Sequence, residues 1–177
     1  TQPIDNGGLE LGKDVAGSVV GTYWFLMLVG RLIGASVASK ISSRVMLTSV
    51  ASVAMILVLL AIFLSSSTTV QMPVFKSDIS FGMDIGPVNI MLLVLVGLCT
   101  SVMWGGIFNL AVEGLGKYTE AASGIFMVMV CGGGVLPAVQ GAIADATSYT
   151  ASYWLIIAGL AYMLFFALVG SRPAHKE

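Results

Sequence analysis

Five stretches of this chain are apolar for long enough to cross a hydrocarbon core, which takes about 20 residues in helical form. They run over about 16–38, 43–64, 88–111, 121–144 and 150–170. None alternates with the two-residue period of a barrel strand. A backbone crossing lipid must satisfy its own hydrogen bonds, so the pattern predicts an all-α membrane protein with five spanning helices. The connections are short except for residues 65–87. There a Ser-Ser-Ser-Thr-Thr run is followed by Pro73, Lys76, Asp78, Gly82, Asp84, Gly86 and Pro87, which reads as a long loop. The organisation that follows is a polar loop segment over 1–15, a helical bundle over 16–170 and a polar tail over 171–177. The opening segment, with Asp5, Glu10, Lys13 and Asp14, resembles a loop more than a true N-terminus, and the chain reads as a piece of a longer protein.

Composition strengthens the class. Of 177 residues, 57% are hydrophobic and 10% charged, against roughly 25% charged in soluble domains. The net charge of -1 offers no basic field for nucleic acid. Cys99 and Cys131 both fall inside apolar stretches and read as small buried apolar side chains, not as a disulfide. The single histidine, His175, stands in the polar tail away from either cysteine, so no metal site is expected. No nucleophile–base set or phosphate-binding loop occurs. An enzyme and a bound cofactor are therefore not expected.

Lys and Arg set the orientation. Lys40 and Arg44 follow the first span, Lys117 follows the third, and Arg172 and Lys176 follow the fifth. Only Lys13 and Lys76 stand on the other side. The positive-inside rule places the first group and the C-terminus in the cytoplasm. The 1–15 segment and the 65–87 loop then face outside.

Within the spans, a few residues are candidates for function. Arg31 lies about 14 Å in from Lys40 at about 1.5 Å per residue. A charge at the bilayer centre costs roughly 2.5–3.5 kcal/mol on insertion scales, so it is expected to face the bundle interior or a wet cavity. Two readings stand: an arginine that snorkels inward and fixes packing, or a cavity residue coupled to substrate or proton movement. No Asp or Glu lies deep in any span to pair with it. In the third span, Trp104 and Phe108 share one helical face, and Gly105 and Asn109 share the next. The Asn109 amide suits sugar hydroxyls and Trp104 a sugar ring, although an interhelical hydrogen bond and simple packing are equally open. Gln140 has the same two readings. Gly132, Gly133 and Gly134 followed by Pro137 weaken the fourth span and predict a bend, either a gate or a static kink. Gly17 with Gly21, and Gly30 with Gly34, are spaced for close helix approach. Glu113, Lys117 and Glu120 read as solvated charges at the inner loop, and Asp145 as an outer-interface residue.

Three blocks then resemble one family. Gly30-Arg31-Leu32-Ile33-Gly34 with Lys40 resembles the eighth helix and basic inner loop of the fucose permease-like sugar:proton symporters of the major facilitator superfamily. Ser101-Val102-Met103-Trp104-Gly105-Gly106-Ile107-Phe108-Asn109-Leu110, through Leu115-Gly116 and Thr119, resembles the tenth. Gly132-Gly133-Gly134-Val135-Leu136-Pro137 and Gly141 to Asp145 resemble the eleventh. Gly105-Gly106 stand where that family usually has Pro-Thr or Pro-Ala, and the 65–87 loop is longer than expected for it. The resemblance implies that the five spans are helices 8–12 of a twelve-helix fold in the cell inner (plasma) membrane. It implies alternating access around a midplane site, with a sugar, protons and the lipid bilayer as partners. The energy source would be the proton gradient, with no cofactor. The coupling acids would lie in an N-terminal half with which this portion pairs. Two other readings are export of a drug-like or lipid-like compound and a non-transporting membrane scaffold subunit.

Overall fold

The computed structural model describes residues 13–38, 40–64, 68–75 and 80–171, with the side chains of Lys13 and Asp14 left aside. The expectations for residues 1–12, Lys76, Asp78, Arg172, His175 and Lys176 lie outside the described residues.

Helix α1 runs over Lys13–Ala38, α2 over Ser43–Phe63 and α3 over Val88–Val112. The fourth span is two helices, α4 over Thr119–Met129 and α5 over Gly132–Ala146. Helix α6, Tyr149–Phe165, continues into a π-helical turn over Phe166–Gly170. All five apolar segments are thus helical and long enough to cross a bilayer, and the all-α membrane class holds.

Capping residues set several boundaries. The Ser42 side chain accepts from Val45 N at 3.4 Å to open α2, and Ser148 accepts from Ala151 N at 3.1 Å to open α6. Between α3 and α4 the chain turns through Gly114 (φ 79°) and Gly116 (φ 50°). That left-handed conformation is where glycine carries no Cβ penalty, and it makes Glu113-Gly114-Leu115-Gly116-Lys117 a compact turn.

Helix α2 is central, packed between α3 and α6. Its buried stripe is Leu47, Ala51, Ala54, Val58 and Ala61, spaced three or four apart. Small side chains at this spacing let the neighbouring backbones come close, which is how helices associate where lipid is as apolar as the interface. At the N-terminal end of α2, Arg44 Nη2 donates to Ser171 O at 2.9 Å and Nε to Ser171 Oγ at 3.2 Å. This ties the start of α2 to the end of α6.

Helix α1 packs on the opposite side of α3. A Cβ added at Gly30 would collide with Ser101 Oγ and lie 2.9 Å from Leu98 O. One at Gly34 would lie 2.7 Å from Val102 Cγ2, and one at Gly97 2.9 Å from Tyr23 O. The α1–α3 contact is therefore backbone-close, and Tyr23 Oη and Thr100 Oγ1 share a hydrogen bond of 3.2 Å across it. The Gly17–Gly21 pair does not serve a helix contact. Gly17 faces open space and Gly21 faces Phe75 O at 3.4 Å.

The expected long loop is in fact an antiparallel hairpin, β1 over Thr69–Phe75 and β2 over Phe81–Pro87, in register from Thr69↔Pro87 to Phe75↔Phe81. Met72 and Val74 point inward; Gly82 stands opposite Val74, and a Cβ at Gly86 would lie 2.6 Å from Met72 Cε. The hairpin lies on α1, where Phe75 N donates to Thr22 Oγ1 at 2.8 Å. Phe25, Phe75 and Phe81 form an aromatic cluster with centroid distances of 5.2 to 5.4 Å. An apolar cavity of ≈ 210 Å³ remains beneath it.

The fourth span breaks before its glycines. Val130 N bonds to Met127 O, Cys131 N to Val128 O, Gly133 N to Val130 O and Gly134 N to Cys131 O, at 2.8 to 3.2 Å. These are i→i−3 bonds, so the helix tightens through residues 130–134. Pro137 lacks the N–H that would bond to Gly133 O, and its ring crowds that carbonyl. Added Cβ atoms at Gly132, Gly133 and Gly134 would meet nothing within 4 Å. Cys131 is exposed at this break, contrary to its reading as a buried side chain, whereas Cys99 is buried.

Candidate functional site

The α1–α3 contact, tight at Gly30 and Gly34, opens towards the C-terminal ends of the two helices into a cavity of ≈ 180 Å³. Arg31, Gly34 and Ala35 line it from α1, and Ser101, Gly105 and Asn109 from α3. Ser101, Gly105 and Asn109 stand four residues apart, so they fall on one face of α3. Glycine at 105 matters here as an absence of side chain, since a Cβ there would meet nothing within 4 Å.

Arg31 and Asn109 are both exposed into this cavity. Among the described residues, carboxylates occur only at span ends, as Glu113, Glu120 and Asp145, or in the hairpin, as Asp84. Arg31 therefore has no ion-pair partner among the described residues. A guanidinium at this depth retains its full set of five donors for water or a hydroxylated ligand.

A second, more polar cavity of ≈ 520 Å³ lies where the start of α2 meets the end of α3. Ser42, Ser43, Arg44, Asn109, Leu110 and Glu113 line it. Asn109 thus belongs to the walls of both cavities. Glu113, read from the sequence as a solvated charge, remains exposed but faces this second cavity opposite Arg44.

Trp104 lies on the neighbouring face of α3. Its ring centroid is 5.3 Å from that of Phe126 on α4, and Phe108 meets the same ring at 5.4 Å. Trp104 keeps 44% of its surface open, so part of the indole still offers a flat apolar face. Gln140 is half-buried on α5, which packs on α6, and it is not among the residues lining either polar cavity. Gly132, Gly133, Gly134 and Pro137 lie at and beyond the break between α4 and α5, likewise outside both cavities. The structure therefore brings Arg31 and Asn109 to one cavity, while Trp104, packed on Phe126, is like Gln140 and the glycine run not among the residues lining either cavity.

Sequence reasoning passed over Ser101 and the Ser42–Ser43 pair as site residues. The spacing of Ser101, Gly105, Asn109 and Glu113 at four-residue intervals was the available signal for the α3 part.

Such a bundle, with five helices long and apolar enough to cross a bilayer, defines a multi-pass helical membrane protein. The curated relatives agree on a more particular type. The chain is 32% identical over 162 residues to a protein of Brucella abortus biovar 1 (strain 9-941) named glucose/galactose transporter, covering 92% of this chain and 34% of that protein. It is 31% identical over 160 residues to a putative glucose/galactose transporter of Helicobacter pylori (strain ATCC 700392 / 26695), covering 88% of this chain and 34% of that protein. The chain thus spans about a third (34%) of the length of the curated relatives it matches. No family model matches the chain, and no solved structure matches it.

Proposed function

We propose that this chain forms part of a sugar transporter of the major facilitator type. Its five spans would be helices 8–12 of the C-terminal portion, within a twelve-helix protein of the inner membrane. The observation that carries the reading is the similarity to named glucose/galactose transporters, which runs through 92% of the chain and so includes every element of the Arg31–Asn109 cavity. The chemistry of that cavity supports a neutral, hydroxyl-rich substrate. A guanidinium and a carboxamide donate to sugar oxygens, and the amide also accepts from a hydroxyl.

In this reading the substrate binds where α1 and α3 diverge, and alternating access comes from rocking this bundle against a second one. Proton symport needs a carboxylate that titrates within the membrane. Among the described residues none stands deep in a span, so the coupling acids are proposed to lie in the part of the transporter that this chain does not cover. Arg31 would then respond to their charge across the interface between the two bundles.

The test is transport by the intact protein in proteoliposomes. An inward proton gradient should drive accumulation of glucose or galactose, and a protonophore should abolish it. Absence of uptake across a panel of hexoses and deoxyhexoses would overturn the sugar reading. Uptake indifferent to the proton gradient would overturn symport alone. Transport of lipophilic compounds in place of sugars would favour an exporter.

A further inference from the structure

The two cavities share one lining side chain. Asn109 lines the ≈ 180 Å³ cavity together with Arg31 and Gly105, and the ≈ 520 Å³ cavity together with Ser43, Arg44 and Glu113. On α3, Gly105 lies one turn before Asn109, and Glu113 caps the helix one turn after it. Four residues correspond to about 6 Å along a helix. The wall common to both cavities therefore runs about 12 Å from Gly105 to Glu113, with Asn109 halfway.

We infer that Asn109 is the waist of a water-filled path from the cytoplasmic face to Arg31, and that it controls passage of a neutral hydroxylated solute between the two cavities. The charges on the path support the neutrality of that solute. Arg44 and Glu113 set one cation and one anion around the lower cavity, so neither sign of ion is favoured there. Arg31 stands at the upper end without a counter-charge among the described residues, which opposes a cation. The waist itself is an uncharged amide with donors and acceptor, able to exchange hydrogen bonds with water or a hydroxyl at little cost. Gly105 leaves the space above it open.

The identity of the solute rests on the sugar reading, whereas the path rests on geometry and orientation. The experiment separates them. In the intact protein, Cys99 and Cys131 are replaced by Ser, and a single reporter, Gly105→Cys or Ser43→Cys, is introduced. A membrane-impermeant, uncharged thiol reagent bearing a polyol group is applied to inside-out and to right-side-out vesicles. Both reporters should react from the cytoplasmic face. Adding Asn109→Leu, with the same branched skeleton but bulkier and unable to hydrogen bond, should slow reaction at position 105 by at least tenfold and leave position 43 within about twofold. Adding Asn109→Gln, also bulkier than Asn but keeping the amide, should keep position 105 reactive, which shows that polarity at the waist and not bulk alone is required. The proposal is overturned if Gly105→Cys is unreactive from the cytoplasmic face while Ser43→Cys reacts, or if Asn109→Leu leaves the two reporters equally reactive. It is also overturned if both reporters react only from the outer face. Glucose or galactose should protect Gly105→Cys. If the path behaves as expected and neither sugar protects, the sugar reading fails and the path stands.

Discussion

Gly30 tests how the bundle is held together. In a Gly30→Ala variant the new methyl collides with Ser101 Oγ and lies 2.9 Å from Leu98 O and 3.1 Å from Ser101 Cβ. The serine oxygen can rotate away, but Leu98 O is helix backbone and moves only if α3 moves. Overpacking of this kind costs about 1–3 kcal/mol. Against it stands the higher helix propensity of alanine, worth about 0.8–1.0 kcal/mol. Gly105→Ala and Gly124→Ala receive the same propensity gain with nothing within 4 Å of the new methyl. Alanine at 30 should therefore be less stable than alanine at 105 or 124 by about 1–3 kcal/mol, the overpacking cost alone. The assay is reversible denaturation of the intact protein in mixed micelles, with the three variants measured side by side. Ser101→Ala removes one of the two obstacles, so in the Gly30→Ala background it should recover part of the loss. Equal stability at positions 30 and 105, or no recovery on adding Ser101→Ala, would show that α1 and α3 are not in backbone contact here.

Three further outcomes are expected. Arg44→Ala removes two hydrogen bonds to Ser171 from a charged donor; each is worth roughly 1.5–3 kcal/mol when buried and less at this half-buried site, so a loss of about 1–2 kcal/mol is expected in the same denaturation assay. Arg44→Lys should recover only part of it, since an ammonium cannot reproduce the guanidinium fork, and full recovery would count against the geometry. Thr48 Oγ1 is buried with no hydrogen-bond partner among the described residues, so Thr48→Val should be neutral or stabilising by up to about 1 kcal/mol, and a clear loss would reveal a partner. Arg31→Gln, measured for proton-driven sugar uptake at matched expression, should lose at least tenfold in rate; unchanged uptake would leave Arg31 a packing residue only.

How far the sequence reaches differs by element. The five spans were legible because lipid imposes one simple requirement, a long apolar helix, and each segment meets it within a few residues of its observed ends. The hairpin was not. Its alternation of Val70, Met72 and Val74 with polar or exposed neighbours is short, and Pro73, Gly82 and Gly86 carry turn chemistry in most other contexts. It forms because α1 supplies a partner, through Thr22 and Phe25, that no local pattern announces. The glycines divide the same way. Gly30 and Gly34 share the four-residue spacing of Gly17 and Gly21, yet only the former pair meets another helix.

The sequence by itself determined the membrane class, the helical spans and the position of Arg31 within a span. Each of these follows from a local property, hydropathy or charge. Only the tertiary structure decided that Arg31 and Asn109 face one cavity, that Gln140 stands apart from it, and that Asn109 also lines a second. Those depend on how α1 and α3 are rotated and offset against each other. That offset is set by small-residue contacts between segments some 70 residues apart, such as Gly30 with Ser101 and Gly34 with Val102, a separation that local pattern does not encode.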